Sequence, residues 1–292
     1  MLQAVREMIK TINYRDYFPL IMITVCFLTL YNQVIHKLIR DWSTDENFSH
    51  GFMIPFISGY LIWQQRKRLS DIPVNPSNWG IILITIGLLF FFIGNIGAEL
   101  FTMRFSMILV ILSISVYFAG WKFTKTIFYP VAYLIFMIPI PAIIWNKIAF
   151  PLKIFATKMA VGVIHYFEIP AYREGNIIQL TNTTLEVVDA CSGLRSLMSL
   201  LALSAAFALV SNHTRISKLI LFLFAIPIAI FTNIVRLSST AVLARHFGPQ
   251  VAQGFLHDFS GIVVFGLAFI LLYSIHWLLE KAECKIRDTQ AK

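Results

Sequence analysis

Charge is scarce in this chain of 292 residues: Asp, Glu, Lys and Arg make up 13%, against 58% hydrophobic residues. A soluble domain of that length needs a more polar surface to cover its core, so a soluble protein is excluded and an integral membrane protein is expected. Cysteine is nearly as rare, with three, and neither Cys26 nor Cys284 can pair with Cys191 across the topology derived below. No metal-ligand spacing, glycine-rich phosphate loop or internal repeat stands out, so no metal and no other cofactor is expected. A cleavable signal peptide is lacking too. The first apolar run begins only at Phe18, after an amphipathic head with no A-x-A site, and reads as a retained anchor.

What is present is a series of apolar runs near the roughly 20 residues that cross a hydrocarbon core of about 30 Å. They are Phe18–Ile39, Trp79–Gly97, Phe105–Gly120, Thr126–Trp145, Gly193–Val210, Leu219–Leu243 and Ile262–Leu279. Phe48–Gln65 is shorter but spans with tilt or local thinning. The expected fold is therefore an all-α integral membrane protein of about eight transmembrane helices, a single polytopic domain over residues 1–292.

The net charge of +9 invites a nucleic-acid reading, which its distribution removes. Lys and Arg collect in alternate loops: Arg6, Lys10 and Arg15; Arg66 to Arg68; Lys122 and Lys125; Arg215 and Lys218; Lys281, Lys285, Arg287 and Lys292. By the positive-inside rule these mark the cytoplasm and place both termini there. The intervening segments hold nine of the 15 acids, Asp41, Asp45, Glu46, Glu99, Glu168, Glu174, Glu186, Asp189 and Asp258.

Pro151 to Tyr166 is apolar but carries Lys153, Lys158 and His165, and charge inside hydrocarbon is expensive. It is read as an interfacial or re-entrant amphipathic helix on the outer face, preceded by a proline break at Ile138 to Pro141. A short β-hairpin follows, Asn176–Leu180 and Thr184–Val188 around the turn Thr181 to Thr183. It delivers the chain to Cys191 on the outer side.

Three polar residues converge at that level. Cys191 sits where the sixth span begins. Arg236 lies seventeen residues beyond Leu219, about 26 Å up the helix axis. His257 lies in the outer connection before the last span. Thiol, imidazole and guanidinium supply a nucleophile, a proton shuttle and an oxyanion partner. Cys191 at a helix N-terminus, with Arg195 nearby, is biased toward thiolate. Asn233 and Thr240 share a helical face with Arg236 and serve to order it, and Asp189 is the best-placed carboxylate to orient His257. Each has a plainer reading: Cys191 as a small hydrophobe, Arg195 and Arg236 as partners of lipid phosphates, and His257 as a solvated side chain. His36, His50, His213 and His246 are expected in water, and His276 against a neighbouring helix.

Three stretches carry a family resemblance: L-E-V-V-D-A-C-S-G-L-R-S around Cys191, I-P-I-A-I-F-T-N-I-V-R-L around Arg236 and G-F-L-H-D-F-S-G around His257. D-W-S-T-D-E-N-F-S-H-G-F-M-I-P from Asp41, W-Q-Q-R-K-R-L, F-M-I-P-I-P at Phe136 and Y-R-E-G-N from Tyr172 follow the same pattern. With these, the chain resembles the exosortases, multi-pass bacterial membrane enzymes related to the archaeosortases. The resemblance implies a cysteine protease or transpeptidase of the bacterial cytoplasmic (inner) membrane, with its active site on the outer, periplasmic side. Its substrates would be secreted proteins ending in a short Pro-Glu-Pro type motif, a transmembrane helix and a basic tail. Cys191 would form the acyl-enzyme, His257 act as base then acid, and Arg236 stabilise the oxyanion or orient the thiolate, with Arg195 secondary. An unidentified acceptor and membrane lipids complete the partner set, and the fused C-terminal soluble domain of some members is not expected. The competing expectation is a non-catalytic component of exopolysaccharide assembly or transport that binds lipid or glycan headgroups.

Overall fold

The computed structural model describes residues 14–181, 184–186, 194–248 and 255–290. Two compact units divide the chain, 1–40 and 41–292. The first is helix α1 (Tyr14–Thr44) as far as Arg40. Phe18, Ile21, Met22, Val25 and Leu28 are exposed along it, the surface of a helix presented to lipid rather than water.

The second unit starts with the last turn of α1 and a 3₁₀ segment, Glu46–Phe52. Helices α2 (Met53–Gln64), α3 (Arg66–Ser70), α4 (Trp79–Ile96), α5 (Leu100–Ala119) and α6 (Trp121–Ala132) follow. A second 3₁₀ segment, Tyr133–Met137, leads to α7 (Ala142–Tyr166) and three strands, β1 (Ala171–Glu174), β2 (Ile177–Leu180) and β3 (Thr184–Glu186). Helices α8 (Leu194–Val210), α9 (Arg215–Phe247) and α10 (Phe255–Gln290) complete it.

Six stretches among the described residues are long and apolar enough to cross a membrane: Ile21–Thr44, Trp79–Ile96, Leu100–Ala119, Ala142–Tyr166, Arg215–Phe247 and Gly261–Arg287. The chain is thus a multi-pass membrane protein, with six such helices in place of eight. Helices α2 and α8 are shorter, at 12 and 17 residues. The expected span Thr126–Trp145 is not one helix. Pro139 and Pro141 have no amide hydrogen and force the residues before them toward extended backbone, and Ile138 is extended at φ −90° and ψ 119°.

Trp145 instead falls inside α7, whose 25 residues run unbroken through Pro151, Lys153 and Lys158. The expected interfacial helix from Pro151 is therefore the latter part of a helix long enough to span. Small residues explain its packing. Ala156, Ala160, Val161 and Ile164 form one buried face, which meets Leu237 and Ala241 of α9 and Ile178 of β2 in a common core.

The strands form one antiparallel sheet in the order β1-β2-β3. The expected hairpin is found over Ile177–Leu180 and Thr184–Glu186, with Ile178 opposite Leu185; its remaining residues 182, 183, 187 and 188 lie outside the described ones. Strand β1 was not anticipated. Its two-residue turn to β2 is Gly175-Asn176, with Gly175 at φ +62°, the left-handed backbone that a tight hairpin requires.

Helices α4 and α5 pack against each other at close range. Gly80, Gly87 and Gly94 recur every seven residues and are all buried. A methyl group on each would lie 2.5 Å from the Tyr117 Cα, 2.7 Å from a Val110 methyl and 2.8 Å from the Met103 Cγ. Bare backbone at those positions is what lets the two helices touch.

Candidate active site

Helices α8, α9 and α10 share one core. Leu197, Leu200 and Ala208 of α8 meet Leu221, Ala225, Ile228 and Ala229 of α9 and Ala268 and Leu272 of α10, with Ala149 of α7. A polar cluster fixes their register at one end. Glu283 accepts hydrogen bonds from the Thr214 amide (2.9 Å) and hydroxyl (2.8 Å) and lies 3.1 Å from His213 Nδ1. His213 Nε2 lies 2.8 Å from His276 Nδ1. A carboxylate only accepts, so Nδ1 of His213 carries hydrogen, and in the neutral ring Nε2 accepts from His276. His213 is 9% exposed, and this burial corrects the expectation that it sits in water; His276 does bond a neighbour, the α8–α9 connection.

Distances along the helices follow from that pin. Arg236 is 21 residues beyond Arg215, the start of α9, or about 32 Å at 1.5 Å per residue. His257, the third residue of α10, is 19 residues before His276, or about 28 Å. Leu194, the start of α8, is 16 residues before Val210, or about 24 Å. All three positions therefore lie many turns along their helices from the histidine cluster. Cys191 and Asp189 lie outside the described residues, as do the side chains of Arg195, the second residue of α8, and of His257.

Around Arg236 the helix is polar on one face. Asn233 is buried, at 2% exposure, and Arg236 and Thr240 are partly buried. The Thr240 hydroxyl donates to the Arg236 carbonyl at 2.8 Å.

Beside α8, two of the resembling stretches turn out to be one structure. Pro139 has no N–H to offer the Phe136 carbonyl, nor Pro141 the Met137 carbonyl, so both are orphaned at a helix end. Trp42 Nε1 donates to Met137 O at 2.8 Å and His50 Nε2 to Phe136 O at 3.2 Å. The Ser58 hydroxyl likewise donates to Pro130 O at 2.7 Å. The segment from Asp41 thus satisfies carbonyls that the prolines of F-M-I-P-I-P strand. His50 also lies 3.3 Å from the Ser199 hydroxyl of α8 through Nδ1, and this removes it from the solvated histidines. His36 and His246 are exposed, His36 within the candidate span Ile21–Thr44.

A partly buried ion pair joins the same segment to α5. Arg104, 2% exposed, bonds Asp41. Sequence reading missed this pair and the His213–His276–Glu283 cluster, because the partners are 63 to 70 residues apart. The glycine repeat of seven and the Gly175-Asn176 turn were visible signals.

Long apolar helices, paired by glycine or tied by buried polar groups, with a polar end shared by α8, α9 and α10, define a polytopic helical membrane protein. Residues 42–274 match the transmembrane exosortase family model. That covers most of the chain and all three signature stretches, so the chain belongs to the transmembrane exosortase family. No curated protein and no solved structure matches it.

Proposed function

We propose that this protein is a membrane cysteine protease and transpeptidase that cuts the C-terminal sorting signal of secreted proteins at the outer face of the bacterial inner membrane, with both termini cytoplasmic. Family membership supports the sorting role. The single observation that carries the site is the register of α8, α9 and α10. Arg236 and His257 lie about 32 Å and 28 Å along their helices from the end that the His213–His276 bond ties together, which supports a site shared with the helix that follows Cys191.

In this reading the Cys191 sulfur attacks the carbonyl carbon of the scissile peptide while His257 takes its proton. Arg236 neutralises the oxyanion of the tetrahedral intermediate. As the C–N bond breaks, His257 gives the proton to the leaving amine, and the acyl chain stays on sulfur as a thioester. Water or the amine of an acceptor then attacks, with His257 again taking the proton, and the thiolate leaves. Asp189 orients His257, Asn233 supports Arg236, and Arg195 recognises an acidic residue of the substrate motif. The substrate's own transmembrane helix lies against the bundle with its basic tail in the cytoplasm. No cofactor takes part.

The test is co-expression with a reporter carrying a C-terminal motif, a transmembrane helix and a basic tail. Cys191→Ala and His257→Ala should each abolish the shortened product, a loss on the order of 10⁴-fold or more for an acyl-transfer nucleophile or its base. Intact processing in either variant sinks the nucleophile assignment.

A further inference from the structure

The His50 imidazole is held on both sides. Nε2 faces the Phe136 carbonyl at 3.2 Å, and a carbonyl only accepts, so this nitrogen carries the hydrogen. In the neutral ring Nδ1 is then an acceptor, and the Ser199 hydroxyl faces it at 3.3 Å. One side chain of the 3₁₀ segment Glu46–Phe52 therefore ties the proline-orphaned carbonyl of the second 3₁₀ segment to α8.

The tie is made close to where the nucleophile's helix begins. Ser199 is five residues into α8, about 7.5 Å from Leu194, and in sequence it follows Arg195 by four residues and Cys191 by eight. Farther along, the Tyr133 hydroxyl bonds the Ala202 carbonyl at 3.2 Å, and Leu200 is fully buried. Those contacts fix the middle of α8, while His50 and Ser199 restrain its first turns in height and rotation. A displacement of about 1 Å at a reacting group costs on the order of 100-fold in rate.

We propose that His50, through Ser199, is a positioning residue that sets the start of α8 and so the placement of Cys191 against its substrate. This rests on the reading of Cys191 as the nucleophile. His50 touches no reacting atom in this scheme.

The experiment uses the full chain with Cys26→Ser and Cys284→Ser, both exposed cysteines, so that Cys191 is the remaining thiol. Processing of the tailed reporter is followed as kcat and KM, together with the pH dependence of Cys191 alkylation by iodoacetamide and the folded fraction. His50→Gln keeps a donor near the Phe136 carbonyl but loses the acceptor for Ser199; His50→Asn does the reverse. Ser199→Ala and His50→Gln should each lower kcat by roughly tenfold or more with KM little changed, and shift the alkylation profile. Their combination should be no worse than either alone, and His50→Asn should retain more activity than His50→Gln. Wild-type kcat in both single variants, multiplying losses in the double variant, or losses that follow only the folded fraction would overturn the proposal. If Cys191→Ala in this background still processes the reporter, the nucleophile reading has failed instead.

Discussion

Helices α4 and α5 meet along Gly80, Gly87 and Gly94, where nothing larger than hydrogen fits, whereas α8, α9 and α10 meet along Leu, Ile and Ala and are pinned by His213, His276 and Glu283. Lipid is as apolar as leucine, so burial of apolar side chains gives helices little reason to associate in a membrane; close backbone contact and buried polar links replace it. The two groups use these devices separately. In α5, the Ser106 and Ser113 hydroxyls each donate to a carbonyl of their own helix at 2.6 Å, and along the glycine seam the contact is one of volume. Volume sets how near two helices lie. A hydrogen-bonded pin also sets how far along each other they are placed, which a site assembled from three helices requires.

The largest effect is expected where volume is the device. Gly80→Val brings its Cβ against the Tyr117 backbone, which cannot move away as a flexible side chain would. Overpacking of this kind costs about 1–3 kcal/mol and occasionally more. Thermal unfolding of the detergent-solubilised protein should show that loss, while reporter processing per folded molecule stays at the wild-type level. Reduced processing by the folded fraction would mean that the glycine seam also sets the active-site geometry.

A smaller effect on stability is expected at the pin, with a larger one on function. His276→Phe keeps a ring but removes the partner of His213 Nε2, a cost of about 1 kcal/mol. If this bond sets the register of α10 against α9, processing per folded molecule should fall even at temperatures where the variant is fully folded. Equal processing by variant and wild type would show that the apolar core alone fixes the register, and the contrast between the two groups would collapse.

This contrast also marks what the sequence allowed to be read. Long uninterrupted apolar runs such as Trp79–Ile96 and Leu100–Ala119 declare themselves because length and hydropathy are local properties. The hairpin β2–β3 was legible from its polar turn. Helix α7 was not, because Lys153 and Lys158 look prohibitive in a list of residues, yet Ala156, Ala160 and Ile164 give the helix a face to bury. At the site, helix lengths alone brought Arg236 and His257 toward one level, and the structure supplied the pin from which those lengths are measured. The prolines at 139 and 141 announce stranded carbonyls, but nothing local announces that His50 and Trp42, 86 and 95 residues away, would meet them. Polar partners far apart in sequence are a property of packing, and packing was the missing quantity.

The smallest expected effect adds charge to the volume-defined pair. Glu99 is the N-cap of α5: Oε1 accepts from the Phe101 amide at 3.0 Å and Oε2 from the Thr102 amide at 2.6 Å. Burial pushes its carboxyl up, but the bonds from Thr102 and Phe101, with the nearby Arg104 charge, outweigh it and hold the group below its ordinary value of 4.5. A carboxyl whose folded-state value is depressed contributes stability that is present above the unfolded value and lost as pH falls through the folded one. Melting temperatures of wild type and Glu99→Gln should therefore differ at pH 6 and converge below pH 4.5, on the acid side of that ordinary value. A gap of constant size across that window would mean that the ionised cap contributes nothing, and that the α4–α5 pair is held by volume at its ends as well as along its seam.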